Sequence, residues 1–505
     1  MLIILAIAII AGVAFFFVKK SLFPSAAQEE YISYDKDRQI KLIDEQLKGL
    51  DIEKIRAKAH LIMEKSIAEI KASIAEGKLS YEELTAFYLD RIKTYDTGNK
   101  GLNAVTEINP NAINDARAKD KAPDNGNNIS GIPVLIKDNI NTNNMPTSGG
   151  TVALSNFTPK TNADLVNELI NAGAIILGKA NLSELANYMD AKMPGGYSSK
   201  TGQTHNPFDP INLSPQGSSS GSGAAVAANF SAVALGTETT GSITAPAAVS
   251  SIVGYKPTKD LISTKGVIPL AASMDTVGPM TKNVTDAAVL FNASISDKTK
   301  QLSLAFEREF IKGKTIGVYD TGSAAELIKR LKELGANVVT VTLDEKGIEN
   351  DTIIEQEFKY NLGEYLSANE APVKSLAELI EFNKKDLGRN AKYGQGLLED
   401  ANDTEKPDTA KVAEIVKNAK SKIDKLFEDN KLDALVFIDT DGIVLPSVAG
   451  YPVITVPLGA PGGGSPMGAT FVAKANEDQK LINIAYSFEA QTNLRAIPQK
   501  YLNQQ

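Results

Sequence analysis

The sequence predicts an α/β protein. A single large domain is expected, with a mixed, largely parallel central sheet covered by helices on both faces, and with an N-terminal transmembrane or signal segment ahead of it. Three observations lead there. Short apolar runs such as Ile132–Ile136 in GIPVLIKDNI have the pattern of strands buried on both faces. Strand and helix patterns alternate, as in Lys314–Tyr319, Ala324–Leu334 and Val338–Val341, which is the β–α–β rhythm of parallel strands with crossover helices. The first 18 residues, MLIILAIAIIAGVAFFFV, are uninterruptedly apolar and end at Lys19-Lys20.

That opening run has about the minimum length of a membrane-spanning helix. A cleaved signal peptide is the rival, but it carries a positive n-region that is absent here, and Ser25-Ala26-Ala27 is a poor cleavage site. Residues 1–20 are therefore expected to be a transmembrane anchor or signal segment, with the protein held at a membrane through residues 1–18. Lys19-Lys20 points the following chain to the cytoplasm by the positive-inside rule. Asp35, Asp37, Arg38, Lys41 and Asp44 soon mix the charges, and the cell envelope or extracytoplasmic side is the expectation, with the cytoplasmic side as alternative.

Residues 21–59 read as a polar stalk and leading helix, and residues 60–505 as the main domain. Ile67, Ile70 and Ile74 keep helical spacing, and Gly77 ends that element. Ser80-x-x-Glu83 is a capping box for a helix whose face carries Leu84, Phe87, Tyr88 and Ile92. A strand begins at Ala104-Val105. Asp164–Ala172 reads as a helix and Ala174–Leu177 as a strand. Residues 345–430 are helix-rich and charged, and Ala434–Ile438 and Val453–Val456 are further strands.

Composition narrows the chemistry. The chain has 505 residues, with apolar content suited to a sizeable core, and a formal charge of −8, which argues against a nucleic-acid surface. Without Cys there is no disulfide, thiolate nucleophile or Cys-ligated metal. Two histidines, His60 and His205, exclude a His-rich metal site. His60 sits in a charged helix, and His205 in a loop beside Asn206-Pro207 with no evident partner, so neither suggests a His-based triad.

The most informative stretch is Ser214–Pro246, SPQGSSSGSGAAVAANFSAVALGTETTGSITAP. Two small-residue turns, with Ser218 in the first and Ser242 in the second, bracket the apolar segment AAVAANFSAVAL. A Gly/Ser linker would not be fused to such a segment. A P-loop would need a Gly-Lys-Ser/Thr that GSSSGSGAA lacks. The segment is apolar nearly all round, so it is buried if helical. Lys137 interrupts an apolar run and must either snorkel, pair (Asp138 is adjacent) or sit buried with a lowered pKa.

GSSSGSGAAVAAN and GTETTGSI resemble the signature of the amidase signature family, in a spelling closest to its peptide amidase branch. GIPVLIKDNI (131–140), GKANLSELAN (178–187), GQTHNPFDP (202–210), GYKPTKDLIS (254–263), DTVGPMTKNVTDAA (275–288) and AGYPVITVPLG (449–459) also have counterparts there in the same order, so the resemblance spans roughly residues 60–500. It implies an amidase fold and an amide hydrolase working through a Ser–Ser–Lys relay. Lys137 corresponds to the catalytic lysine, Ser218 to the bridging serine after a cis Gly217–Ser218 peptide, and Ser242 to the acyl-forming serine. The backbone N–H groups of Thr239, Thr240, Gly241 and Ser242 would form the oxyanion hole, and Ser219 would support Lys137. No metal or organic cofactor is implied. The expected partner is a small amide or peptide amide, with no nucleic acid. Two departures stand out: Thr240 replaces a usual Gly, and Thr244 a usual Arg. They argue against the A-type component of the tRNA-dependent amidotransferase, which is the alternative. A catalytically silent, membrane-tethered binding protein is a third.

Overall fold

A computed structural model describes residues 31–502 apart from 35, 99, 123–125 and 462–463. Thirteen strands are found among them: β1 (Val105–Ile108), β2 (Pro133–Lys137), β3 (Ile175–Ala180), β4 (Tyr197–Ser198), β5 (Gly202–Gln203), β6 (Val233–Glu238), β7 (Val253–Lys256), β8 (Thr276–Thr281), β9 (Thr315–Tyr319), β10 (Asn337–Val341), β11 (Ala434–Ile438), β12 (Val453–Gly459) and β13 (Met467–Val472). Eleven form one sheet in the order β1-β3-β2-β6-β8-β7-β12-β13-β11-β9-β10, and β4 and β5 form a separate pair.

The sheet is mixed, but "largely parallel" needs correcting. Strands β3, β2 and β6 run parallel, as do β11, β9 and β10. The centre, from β6 through β8, β7, β12 and β13 to β11, is antiparallel throughout, as is the edge pair β1–β3. The cause is connection type. β2–β3 and β9–β10 are joined through the helices Asp164–Asn171 and Ala325–Glu333, and both pairs are parallel. The β7–β8 link carries no helix and joins antiparallel neighbours, as does the short β12–β13 link.

Both faces are covered. Along β11, Ala434, Val436 and Ile438 join one hydrophobic core while Leu435 and Phe437 join the other, as the period-two alternation of a strand requires. The second core is closed mainly by the helix-rich segment expected at 345–430. Its longest helix, Thr409–Asn430, turns Val412, Ile415, Ala419, Ile423 and Phe427 inward at helical spacing.

Local signals hold where they are strong. Ser80 caps Tyr81–Arg91 through the expected box: Glu83 N–H donates to Ser80 Oγ at 3.1 Å, and Ser80 N–H to Glu83 Oε2 at 3.0 Å. Helix Ile67–Ala75 gives way at Gly77, which has φ +69°. The apolar segment AAVAANFSAVAL is not one element. Helix Ser220–Ala227 ends before Asn229, which takes φ +58°, and β6 starts at Val233.

The N-terminal expectations change most. No helix among the described residues is long and apolar enough to cross a membrane, and the run 1–18 lies outside the described residues. The expected transmembrane element and the membrane localisation built on it therefore find no support among the described residues. Part of the expected stalk is packed on the domain. Helix Asp37–Leu47 buries Ile43 and Leu47 in the first core, and Lys36 Nζ donates to the Val105 carbonyl at 2.7 Å. Amphipathic spacing in a charged sequence hides such a docking face. Truncating Ile43, which has no solvent exposure, to Ala should destabilise the domain by about 2–4 kcal/mol. Urea unfolding of the variant measures this, and an unchanged midpoint would mean that the helix lies outside the cooperative unit.

Candidate active site

Three chain segments meet at the carboxyl ends of β2 and β6, where open α/β sheets commonly bind ligands. The two strands are parallel, with Ile136 opposite Leu235, so Lys137 ends its strand next to the Gly236-Thr237 end of β6. Lys137 has no solvent exposure. Its Nζ lies 2.8 Å from Ser218 Oγ, 2.8 Å from Thr237 Oγ1 and 3.1 Å from the Thr237 carbonyl. Burial lowers its pKa to about 7, against the opposing pull of Asp275 and Glu238. The alternative pairing of Lys137 with Asp138 does not occur. Asp138 faces Lys200 at 3.3 Å and Lys179 at 3.7 Å.

Small residues allow this convergence. A Cβ on Gly217 would come within 2.1 Å of Ser183 Oγ, and one on Gly236 within 2.8 Å of Ser219 Oγ. The Gly217–Ser218 peptide is cis. Ser183 N–H donates to the Ser218 carbonyl at 3.0 Å, and Ser219 N–H to the Ser242 carbonyl at 3.0 Å, so the first small-residue turn is tied to the second. Ser219 does not support Lys137 directly. Its hydroxyl donates to the Thr237 carbonyl at 3.0 Å and accepts from Thr237 N–H at 3.2 Å, fixing the residue that holds the lysine.

The second turn follows β6. Gly241 takes φ +78°, which suits a residue without Cβ. Glu238 folds back, and its Oε2 accepts from Ile243 N–H at 2.7 Å, Thr244 N–H at 2.9 Å and the Thr244 hydroxyl at 3.1 Å. The N–H groups of Thr240, Gly241 and Ser242 are left without a hydrogen-bond partner among the described residues. Ser242 is nearly buried, at 7% exposure. The Thr239 hydroxyl donates to Asp275 Oδ1 at 2.6 Å.

The structure thus brings Lys137 to Ser218, and Ser219 to Ser242 and Thr237, at one end of the sheet. His205 is elsewhere. It is buried against Tyr31, with ring centroids 4.3 Å apart, and its Nδ1 lies 2.9 Å from the Pro210 carbonyl, as befits a structural residue. His60 is exposed.

Against known proteins, the Amidase family model matches residues 83–439. The chain belongs to the amidase family. It is an enzyme of that family, an amide hydrolase. Among solved structures it is similar to an amidase family protein from Bacillus anthracis str. Ames, at 42% identity and TM-score 0.90 over 93% of this chain and 99% of that one. It is also similar to the native peptide amidase from Stenotrophomonas maltophilia, at 36% identity and TM-score 0.81 over 86% and 98%. Curated relatives include a probable amidase of Arabidopsis thaliana, 35% identical over 86% of this chain and 92% of that one. The A-type component of a glutamyl-tRNA(Gln) amidotransferase from Caldanaerobacter subterraneus is 31% identical over 86% and 98%.

Four residues at the amidase's site were not singled out from sequence: Thr237, Glu238, Asn139 and Asp275. All lie inside motifs noted above, but within them only strand register tells a partner of Lys137 from a neighbour. Asn139 Nδ2 donates to Thr237 Oγ1 at 3.0 Å, so this hydroxyl serves both Lys137 and Asn139. Thr237→Val would leave both nitrogens short of an acceptor. It should cost about 1–3 kcal/mol of stability, read as a lowered urea midpoint. An unchanged midpoint would show that the hydroxyl holds neither.

Proposed function

We propose that the amidase hydrolyses amides by a Ser–Ser–Lys relay through an acyl-enzyme on Ser242. One observation carries this reading: a fully buried amine with a pKa of about 7 lies 2.8 Å from Ser218 Oγ. A neutral amine has two N–H groups and one lone pair. The two N–H groups match the Thr237 carbonyl and hydroxyl oxygens, and the lone pair then faces Ser218.

In the relay Lys137 accepts the Ser218 proton as Ser218 Oγ accepts that of Ser242. The Ser242 oxygen attacks the amide carbon, and the oxyanion is held by the unpartnered N–H groups of the 239–242 turn, each such donor being worth about 3–4 kcal/mol in the transition state. The proton returns through Ser218 to the departing nitrogen. Water then adds to the ester by the same route, releasing acid and restoring Ser242.

The favoured substrate is a primary carboxamide, such as a peptide C-terminal amide, with ammonia leaving. The motif spelling and the likeness to a peptide amidase support it. So does Thr240, a bulkier residue than Gly beside the nucleophile, which leaves room for a small leaving group.

Ser242→Ala should lower kcat by at least about 10³-fold with the fold unchanged. With Lys137 as the base, kcat/KM should rise from acid through a half-maximum near pH 7, because only the neutral amine accepts a proton. Full activity of Ser242→Ala in an ammonia-release assay would refute the relay.

A peptide amide should exceed both the same peptide extended by one residue and a long-chain fatty amide in kcat/KM by more than tenfold, a barrier difference of about 1.4 kcal/mol. The reverse order would overturn the substrate and leave the relay standing.

A further inference from the structure

We infer that Asp275 is a positioning residue for this reaction, holding Thr239 at the entry of the oxyanion turn while presenting a carboxylate to the Lys137–Thr237–Asn139 cluster. The inference rests on the relay reading. Asp275 immediately precedes β8, and Glu238 pairs with Thr276 in the antiparallel β6–β8 ladder, so one step further Asp275 stands opposite Thr239. Its Oδ1 accepts the Thr239 hydroxyl at 2.6 Å. Its Oδ2 accepts Leu270 N–H at 2.8 Å and Ala271 N–H at 3.1 Å. One carboxylate therefore ties the 270–275 loop to the first residue of the turn that offers N–H groups to the substrate.

The same side chain reaches toward the lysine. Asp275, Thr239, Thr237 and Asn139 share the wall of one small cavity of about 10 Å³. Asn139 and Thr237 are the groups linked around Lys137 Nζ, and Asn139 Oδ1 is buried there without a protein partner. Asp275 and Glu238 are the carboxylates that favour the charged form of Lys137. Glu238 is held by the N–H groups of Ile243 and Thr244. From the other side Asp275 faces Glu357, on the helix Asn350–Ala368, which accepts Ser273 N–H at 3.0 Å and raises Asp275 in turn. Burial lifts Asp275 to about 6, close to where Lys137 titrates.

The sign of the effect follows. An anion near an ammonium stabilises it, so removing the Asp275 charge makes Lys137 easier to deprotonate. Asp275→Asn keeps an oxygen for Leu270 and Ala271 but loses the charge. Its acid limb in kcat/KM should move down by about 0.5 pH unit or more, and kcat should fall about tenfold or more with KM within threefold. Thr239→Val breaks the same hydrogen bond while leaving the carboxylate in place. It should lower kcat, and it tests the positioning half even where Asp275→Asn fails to fold. A well-folded Asp275→Asn enzyme with wild-type kcat and limb, or a Thr239→Val enzyme with wild-type kcat, overturns the inference. Lys137→Ala run alongside separates the two levels. If it is active, the relay fails and this inference with it. If it is inactive while Asp275→Asn behaves as wild type, the relay stands and the role of Asp275 falls.

Discussion

Lys137 ends an apolar strand with no solvent contact, and its amine finds all its hydrogen-bond partners inside the protein. A buried ammonium without partners is among the most unfavourable groups a fold can hold, so the neighbourhood of this nitrogen is narrowly constrained. Two of its three partner atoms come from Thr237, which stands beside it only because β2 and β6 are parallel neighbours. The third, on Ser218, needs a turn brought close to the strand ends. That approach explains the run of small residues: bulk at Gly217, Gly221 or Gly236 would meet Ser183, Asn181 or Ser219 within 3 Å.

The same constraint accounts for the fold's asymmetry. The sheet is antiparallel through its middle, yet the site is built at a junction where both arrangements meet in β6. On its parallel side β6 meets β2 and supplies the partner of the lysine. On its antiparallel side it meets β8, and Asp275, immediately before that strand, reaches Thr239. A uniformly parallel sheet would bring the start of a neighbouring strand to the opposite end of the molecule. The carboxylate could not then stand opposite the residue that follows β6.

Much of this was legible in the sequence because it is local. The Gly/Ser turns mark where backbones approach, the apolar run around Lys137 marks burial, and the Ser80 box fixes a helix start. What was not legible is non-local. Whether VGYK and TVGPMT pair parallel or antiparallel depends on how the link between them folds, and that link carries no helix. Asp275 looks like any acidic residue before a strand until the ladder sets it across from Thr239. Ser219 reads as a direct support of the lysine, but its hydroxyl is used by both main-chain groups of Thr237. At the N-terminus, Ile43 is hidden among charges although its side chain is fully buried.

Thr244 illustrates how a departure from a family pattern can be absorbed. A longer cation at this position could pair with Glu238 across a distance. Here a short hydroxyl adds to two main-chain N–H groups on the same carboxylate oxygen, so that Glu238 closes the turn from beneath. Buried N–H groups nearly always find partners, and this carboxylate satisfies those of Ile243 and Thr244. The three N–H groups just before them, of Thr240, Gly241 and Ser242, have none among the described residues. The division falls at Ser242 because Gly241 has positive φ and turns the chain there. Donors held in place but unpaired need little reorganisation when negative charge develops on a bound carbonyl oxygen. The backbone conformation of one glycine and the reach of one glutamate thus separate the N–H groups that are paired within the protein from those left unpaired among the described residues.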